Sequence, residues 1–139
     1  MKRYLLDTSA LLTLRDNEAG ADQVADILYQ AQQAKARCFG CFMSLMEVFY
    51  RVWKDEGEQE GRLAYQQCLS LPIEWIHEHP ALLEKAAEIK ATHQLSLADA
   101  WIAASALLQG ALLVHKDPEF AALASQQLVL PYKNAVLPE

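Results

Sequence analysis

The stretch LSLADAWIAASALLQGALLVHKDPEF, residues 95–120, decides the fold, because it reads as an αβα passage with an acidic residue at each joint. Ser96 followed by Asp99 is a capping-box pattern, in which a hydroxyl and a carboxylate satisfy orphan amides at a helix start. The spacing predicts a helix beginning near Leu97. Leu97, Ala100, Trp101, Ala104, Leu107 and Leu108 share one face, and Ile102, Ala103 and Ala106 make the opposite side apolar, so this helix is expected to be buried nearly all round. Gly110 stands where a left-handed C-terminal cap is needed. Ala111 to Val114 is a short apolar run suited to a strand covered on both faces. Asp117-Pro118 then supplies an N-cap and a proline at the first helical position.

Outward from that passage the chain alternates. Arg3 to Leu6 is β-prone and stops at Asp7-Thr8-Ser9, with a helical segment from Ala10 to Leu14. A second helix is expected over Ala21 to about Ala36, where Val24, Ile27, Leu28, Ala31 and Ala34 supply the 3.6-residue period. Cys38 to Met43 reads as a buried strand. Ser44 to Glu47 forms another capping-box pattern, opening a helix to about Trp53. After the polar segment Lys54 to Gly61 comes a helix carrying Leu63, Tyr65 and Leu69, then a short strand within Leu71 to Ile76. Pro80 starts an amphipathic helix to about Thr92. Beyond the central passage, Pro118 to Ala124 reads as a brief helix and Leu128 to Leu130 as a last strand, at an edge because Pro131 cannot donate to a ladder. Such alternation implies a mostly parallel sheet with helices on both faces.

The chain has 139 residues, 53% of them hydrophobic and 22% charged, enough for one domain with a real core. MKRYLLDTSALLTL is broken by Asp7 and Arg15, so it has neither the apolar run of a signal peptide nor the length of a membrane span, and a cytoplasmic location is expected. The 3 cysteines show no repeated spacing, which fits a reduced compartment. A net charge of −6 argues against broad electrostatic binding of nucleic acid but allows a local basic rim.

Asp7, Glu47, Asp99 and Asp117 each stand at a joint between elements. Taken singly, each carboxylate has an ordinary reading as a cap or turn residue, contributing about 1 kcal/mol. In an open parallel sheet, however, all four belong beyond the carboxyl ends of the strands, where sites gather. Two carboxylates about 4 Å apart repel by roughly 4 kcal/mol at an effective dielectric of 20. A crevice holding several therefore needs protons or a cation. Mg²⁺ or Mn²⁺ suits an all-oxygen donor set, and the matching chemistry is water activation with charge stabilisation at phosphorus.

DTSALL around Asp7, SLMEVFYR around Glu47 and LSLADAWIAASALLQGALLVHKD followed by PEF resemble the PIN-domain ribonucleases, specifically the small VapC-type toxins of bacterial toxin–antitoxin pairs. The similarity spans nearly the whole chain in order and spacing. It implies a single PIN-like domain with a mostly parallel sheet of about five strands, Mg²⁺- or Mn²⁺-dependent cleavage of RNA, homodimerisation, and inhibition by a small cognate antitoxin. By position it implies that Asp7, Glu47, Asp99 and Asp117 are the acidic set, with Ser9 supporting the first and Glu119 an auxiliary acid. The family usually has a threonine or serine two residues before its last acid. This chain has His115, expected to line the site and touch substrate phosphate or a carboxylate.

Arg15, Arg51, Lys54, Lys116 and Lys133 are the basic residues expected to edge the crevice and meet phosphates. Cys38-Phe39-Gly40-Cys41 has CxxC spacing, and Cys68, His77 and His79 are the residues available to complete a zinc site, but the pair lies in an apolar run without a matching second pair. Trp53, Trp75 and Trp101 read as core or interface. Three rival functions stand beside the nuclease: an aspartyl-nucleophile phosphatase, which usually needs a second Asp where Ser9 stands; metal-free RNA cleavage by histidine acid–base catalysis; and a PIN-fold binding module without catalysis. An antitoxin arginine pairing with the carboxylates would block the site. The helices over Ala21 to Ala36 and after Glu47 offer apolar surface for that partner or a second copy.

Overall fold

A computed structural model describes residues 1–123 and 127–131. The elements in chain order are β1 (Lys2–Leu6), α1 (Thr8–Arg15), α2 (Ala21–Gln32), β2 (Ala36–Cys41), α3 (Phe42–Glu56), α4 (Glu58–Ser70), β3 (Glu74–Ile76), α5 (Pro80–Thr92), α6 (Leu97–Gln109), β4 (Leu112–His115), a 3-10 turn (Pro118–Ala122) and β5 (Gln127–Val129). The five strands form one sheet in the order β3-β2-β1-β4-β5, and every pairing is parallel.

Side chains alternate across a strand, and that parity splits the core in two. Tyr4, Leu6, Cys38 and Val114 face the layer built with Leu11, Val24, Ile27, Val48 and Ala64 from α1 to α4. Leu5, Phe39, Cys41 and Leu113 face the layer built with Leu82, Ile89, Ile102 and Ala103 from α5 and α6. The parallel strands are thus covered on both faces, as near-continuous apolar runs require.

Local chemistry fixes the joints. Gly110 adopts φ +57 as the left-handed cap of α6, and Pro80 opens α5 behind His79, whose side chain accepts from the Leu82 amide. At Gly40 a Cβ would lie 2.4 Å from Trp75 Cζ3. Only a residue without a side chain lets Trp75 lie across β2 at the register Gly40↔Trp75.

Several boundaries differ from the sequence reading. The helix expected to reach Ala36 ends at Gln32, because Ala34 turns left-handed at φ +57 and Ala36 already belongs to β2. Ser44 is not an N-cap: Cys41 holds that place, α3 begins at Phe42 and runs to Glu56. The uninterrupted apolar run from Cys38 to Met43 has no periodicity by which to find the change of state. Two edge strands are short, β3 covering Glu74–Ile76 and β5 covering Gln127–Val129. The turn after Asp117 is 3-10 and spans Pro118–Ala122; Ala124 lies outside the described residues. Nor is α6 buried all round, since Leu97 and Leu108 are 63% and 44% exposed at its two ends. Among the described residues no helix is long and apolar enough to cross a membrane.

Candidate active site

The chain adds strands outward from β1 through β2 to β3, then returns to the other side with β4 and β5, so the strand order reverses between β1 and β4. Open parallel sheets bind ligands at such a reversal, beyond the carboxyl ends of the strands. Asp7 follows β1 and Asp117 follows β4. The Asp7 amide donates to Val114 O at 3.0 Å, tying the two strand ends together.

Asp7 is the N-cap of α1 and only 2% exposed. Its Oδ2 accepts from the Ser9 amide at 3.2 Å and the Ser9 hydroxyl at 2.5 Å. Ser9 Oγ in turn accepts from the Lys116 amide at 3.0 Å. The other oxygen, Asp7 Oδ1, is buried with no hydrogen-bond partner among the described residues. Burial pushes this carboxyl up to about 6, against the lowering effect of the Ser9 hydrogen bonds, and the charge of Asp117 adds to the rise.

Asp99 arrives from the first turn of α6, where its amide donates to Ser96 Oγ at 3.1 Å. The hydroxyl half of the expected capping box therefore forms. The carboxylate itself gathers with those of Asp117 and Glu119, with one oxygen of each lying within 4.8 Å of the others. Burial first, then a hydrogen bond shared with Glu119 and the charges of Asp7 and Asp117, push the Asp99 carboxyl up to about 9. Asp117 caps the 3-10 turn, its Oδ1 accepting from the Glu119 amide at 3.0 Å.

Glu47 takes a different position. It is 8% exposed, its Oε1 accepts from the Thr8 hydroxyl at 2.7 Å, and its Oε2 lies 3.3 Å from Arg51 Nη2. Thr8 Oγ1 is also 2.9 Å from Ser44 Oγ. Glu47 thus faces Thr8 and Arg51 rather than the cluster of Asp99, Asp117 and Glu119. Thr8 and Ser44 escaped the sequence reading, the first as a turn residue and the second as a cap. Their signal was a hydroxyl next to Asp7 and another three residues before Glu47.

His115 does not reach outward to a phosphate. It is 1% exposed, its Nδ1 accepts from the Asp117 amide at 2.9 Å, its Nε2 lies 2.7 Å from Gln127 Oε1, and its ring meets Phe120 edge-on at 4.9 Å. An imidazole buried with both nitrogens engaged is not placed to exchange protons with a substrate, which counts against metal-free histidine catalysis there.

Of the basic residues, Arg15, Arg51 and Lys116 line one cavity of about 310 Å³ beside Ser9, together with Asp16, Glu18, Asp55 and Glu56. Arg15 is held by Glu56 at 2.8 and 3.1 Å. Lys116 Nζ donates to Ala19 O at 3.0 Å and sits 3.5 Å from Glu18. Arg51 keeps 45% of its side chain exposed and is the most available of the three. Lys54 is exposed in the last turn of α3 and does not line this cavity; Lys133 lies outside the described residues. Cys38 and Cys41 point into opposite core layers. Burial pushes Cys38 up to about 12 and Cys68 up to about 11. Neither the geometry nor these thiols suits a zinc site.

The donor set fits a hard divalent cation: all ligand atoms are carboxylate oxygens, three acids are close enough to share one ion, and a buried carboxylate oxygen beside them lacks a partner among the described residues. A parallel α/β domain with acids, Asp7 and Asp99 among them buried, gathered at its strand-order reversal is the class that fold and site define. The profile of the PIN domain matches residues 4–126, and the chain belongs to that family. A search of curated protein sequences found no match. Among solved structures the fold is similar to VapBC2 from Rickettsia felis bound to a DNA fragment of its promoter, with 18% identity over 93% of this chain and 99% of that one and a TM-score of 0.74. It is similar to VapC20 of Mycobacterium tuberculosis, described as a sarcin-ricin loop cleaving toxin, with 19% identity over 92% and 99% and a TM-score of 0.70. A toxin–antitoxin complex from Klebsiella pneumoniae shares 24% identity over 87% and 92%, with a TM-score of 0.61.

Proposed function

We propose that the chain is a divalent-metal-dependent endoribonuclease acting as the toxin of a toxin–antitoxin pair. The observation that carries the reading is the convergence of acids at the reversal point, Asp7 and Asp99 buried, Asp117 half-buried and Glu119 exposed, with one oxygen of Asp7 lacking a partner among the described residues. Membership of the PIN family and the likeness in fold to toxin–antitoxin proteins support it.

Asp7, Asp99 and Asp117 would hold the cation, Mg²⁺ or Mn²⁺, with Glu119 beside them and Glu47 at the border. When bound, such an ion supplies a water of lowered pKa and neutralises charge on the scissile phosphate. The chain's own residues orient the acids. Ser9 holds one oxygen of Asp7 and leaves the other free, while Thr8 and Arg51 hold Glu47. Arg51, half exposed on the cavity beside Ser9, would meet a phosphate of the incoming strand. In that hydrolysis water would add to phosphorus as the P–O3′ bond breaks, with a proton of the water ending on O3′, so the products would carry a 5′-phosphate and a 3′-hydroxyl.

An antitoxin arginine inserted among the carboxylates would replace the cation's charge and block the site. Met46, Tyr50 and Trp53, spaced along one side of α3 and 52%, 46% and 43% exposed, offer an apolar face for that partner or for a second copy. Expression of wild type and Asp7→Ala in separate cultures, with sequencing of RNA 5′ ends, tests the function. The reading expects new 5′-phosphate ends with wild type only. Equal cleavage by both, or cyclic-phosphate products, would refute it.

A further inference from the structure

His115 stands two residues before Asp117, and its hydrogen bonds fix one another's direction. The Asp117 amide has only a proton to offer, so the Nδ1 that accepts it at 2.9 Å must be bare. The ring proton then resides on Nε2, which donates to Gln127 Oε1 at 2.7 Å. That oxygen assignment turns the Gln127 amide nitrogen toward Phe120 O, to which it donates at 2.8 Å, and toward Leu123 O at 3.4 Å. The chain of bonds begins at the amide of Asp117 and ends on carbonyls just beyond Glu119. Between those two anchors lie two of the three carboxylates that gather within 4.8 Å. The clamp is buried, since His115 is 1% exposed and Phe120 fully buried against it.

We propose that His115 and Gln127 are positioning residues, a two-residue clamp joining the end of β4 to the edge strand β5 that sets the spacing of the Asp117 and Glu119 carboxylates for a divalent cation. The proposal rests on the reading that these acids bind such an ion. Ion ligands depend on the groups that orient them, and loss of such a partner typically weakens metal binding by about 10–100-fold. Neither residue touches the ion. Gln127 acts from ten residues beyond Asp117, through the imidazole.

Mn²⁺ affinity, read by electron paramagnetic resonance of the free ion during titration, tests this with three variants. His115→Asn puts an amide oxygen near the place of Nδ1 and keeps the acceptor for the Asp117 amide. His115→Gln reaches toward Gln127 and loses that acceptor. His115→Asn gives up the bond to Gln127 and is expected to lose about threefold in affinity; His115→Gln frees the Asp117 amide and is expected to lose about tenfold or more. Equal losses in both would show that the ring only fills space and would overturn the clamp. Asp117→Asn separates the two levels of the argument. If it abolishes binding while His115→Gln binds as wild type, the clamp is wrong and the cation site stands; if it binds as wild type, both fall. An observation on the unmutated protein guards against variants that fail to fold. Two-bond ¹⁵N–¹H spectra should show His115 as the Nε2–H tautomer, and the Nδ1–H tautomer would overturn the proposal.

Discussion

Replacing Asp99 by Asn lowers RNA cleavage by about a thousandfold or more in kcat/KM and, in the same protein, raises the melting temperature of the metal-free form. The first effect follows from removing a charged ligand whose ion is asked to supply several kcal/mol of transition-state stabilisation, about 4 kcal/mol corresponding to a factor of a thousand. The second follows from the electrostatics. Asp99 is 7% exposed, and its carboxyl is pushed up to about 9 by burial, by Glu119 and by the charges of Asp7 and Asp117. A carboxyl raised above its unfolded value makes folding less favourable once the pH passes that unfolded value, and the penalty grows until the folded value is reached. At pH 8 asparagine removes most of it. The expected gain is roughly 1–3 kcal/mol, or about 3–10 °C for a domain of this size. At pH 5 the gain shrinks, because the folded wild type then keeps its proton. Calorimetry with chelator at the two pH values, beside a cleavage assay, reads both effects. An Asn variant that melts lower than wild type at pH 8 and still cleaves would contradict the account.

Divalent cation and pH exchange roles in the wild type. Without metal, the melting temperature is expected to fall as pH rises from about 5 to about 9, since burial opposes ionisation of Asp7, pushed up to about 6, and of Asp99, pushed up to about 9 by burial and then by Glu119 and the charges of Asp7 and Asp117. In this window the folded state binds more protons than the unfolded one, so stability falls with pH. On the proposed function, Mn²⁺ is expected to take the place of those protons. At about 100 times its dissociation constant a ligand stabilises by roughly 2.7 kcal/mol, on the order of 5–10 °C here. The increment grows with pH and nearly vanishes at pH 5, where protons hold the site. A melting temperature that climbs from pH 5 to pH 9 in chelator, and is indifferent to Mn²⁺ at pH 8, would exclude a carboxylate cation site.

The sequence carried much of the architecture because its strongest signals are local. Gly110 can take a left-handed cap at no steric cost, Pro80 and Pro118 mark first helical positions, and α5 follows the expected bounds, Pro80–Thr92. The start of α3 was illegible because residues 38–43 are apolar throughout, and a run covered on both faces has no period to read. The same error misplaced Ser44, whose hydroxyl meets Thr8 instead of capping a helix. Residue types and joints put Asp7, Asp99 and Asp117 at one end of the sheet. What the sequence could not show was orientation. Glu47 turns toward Thr8 and Arg51, Glu119 joins Asp99 and Asp117, and His115 turns inward to Gln127. Contacts between residues tens of positions apart depend on side-chain direction across the folded sheet, which spacing along the chain does not encode.

Crystals of the wild-type protein grown with Mn²⁺ and measured at the manganese absorption edge test the central claim most directly. The account predicts an anomalous peak between β1 and β4, coordinated by carboxylate oxygens of Asp7, Asp99 or Asp117 and lost in Asp99→Asn. Full occupancy elsewhere on the surface, or no peak among these acids at a Mn²⁺ concentration that supports cleavage, would contradict it.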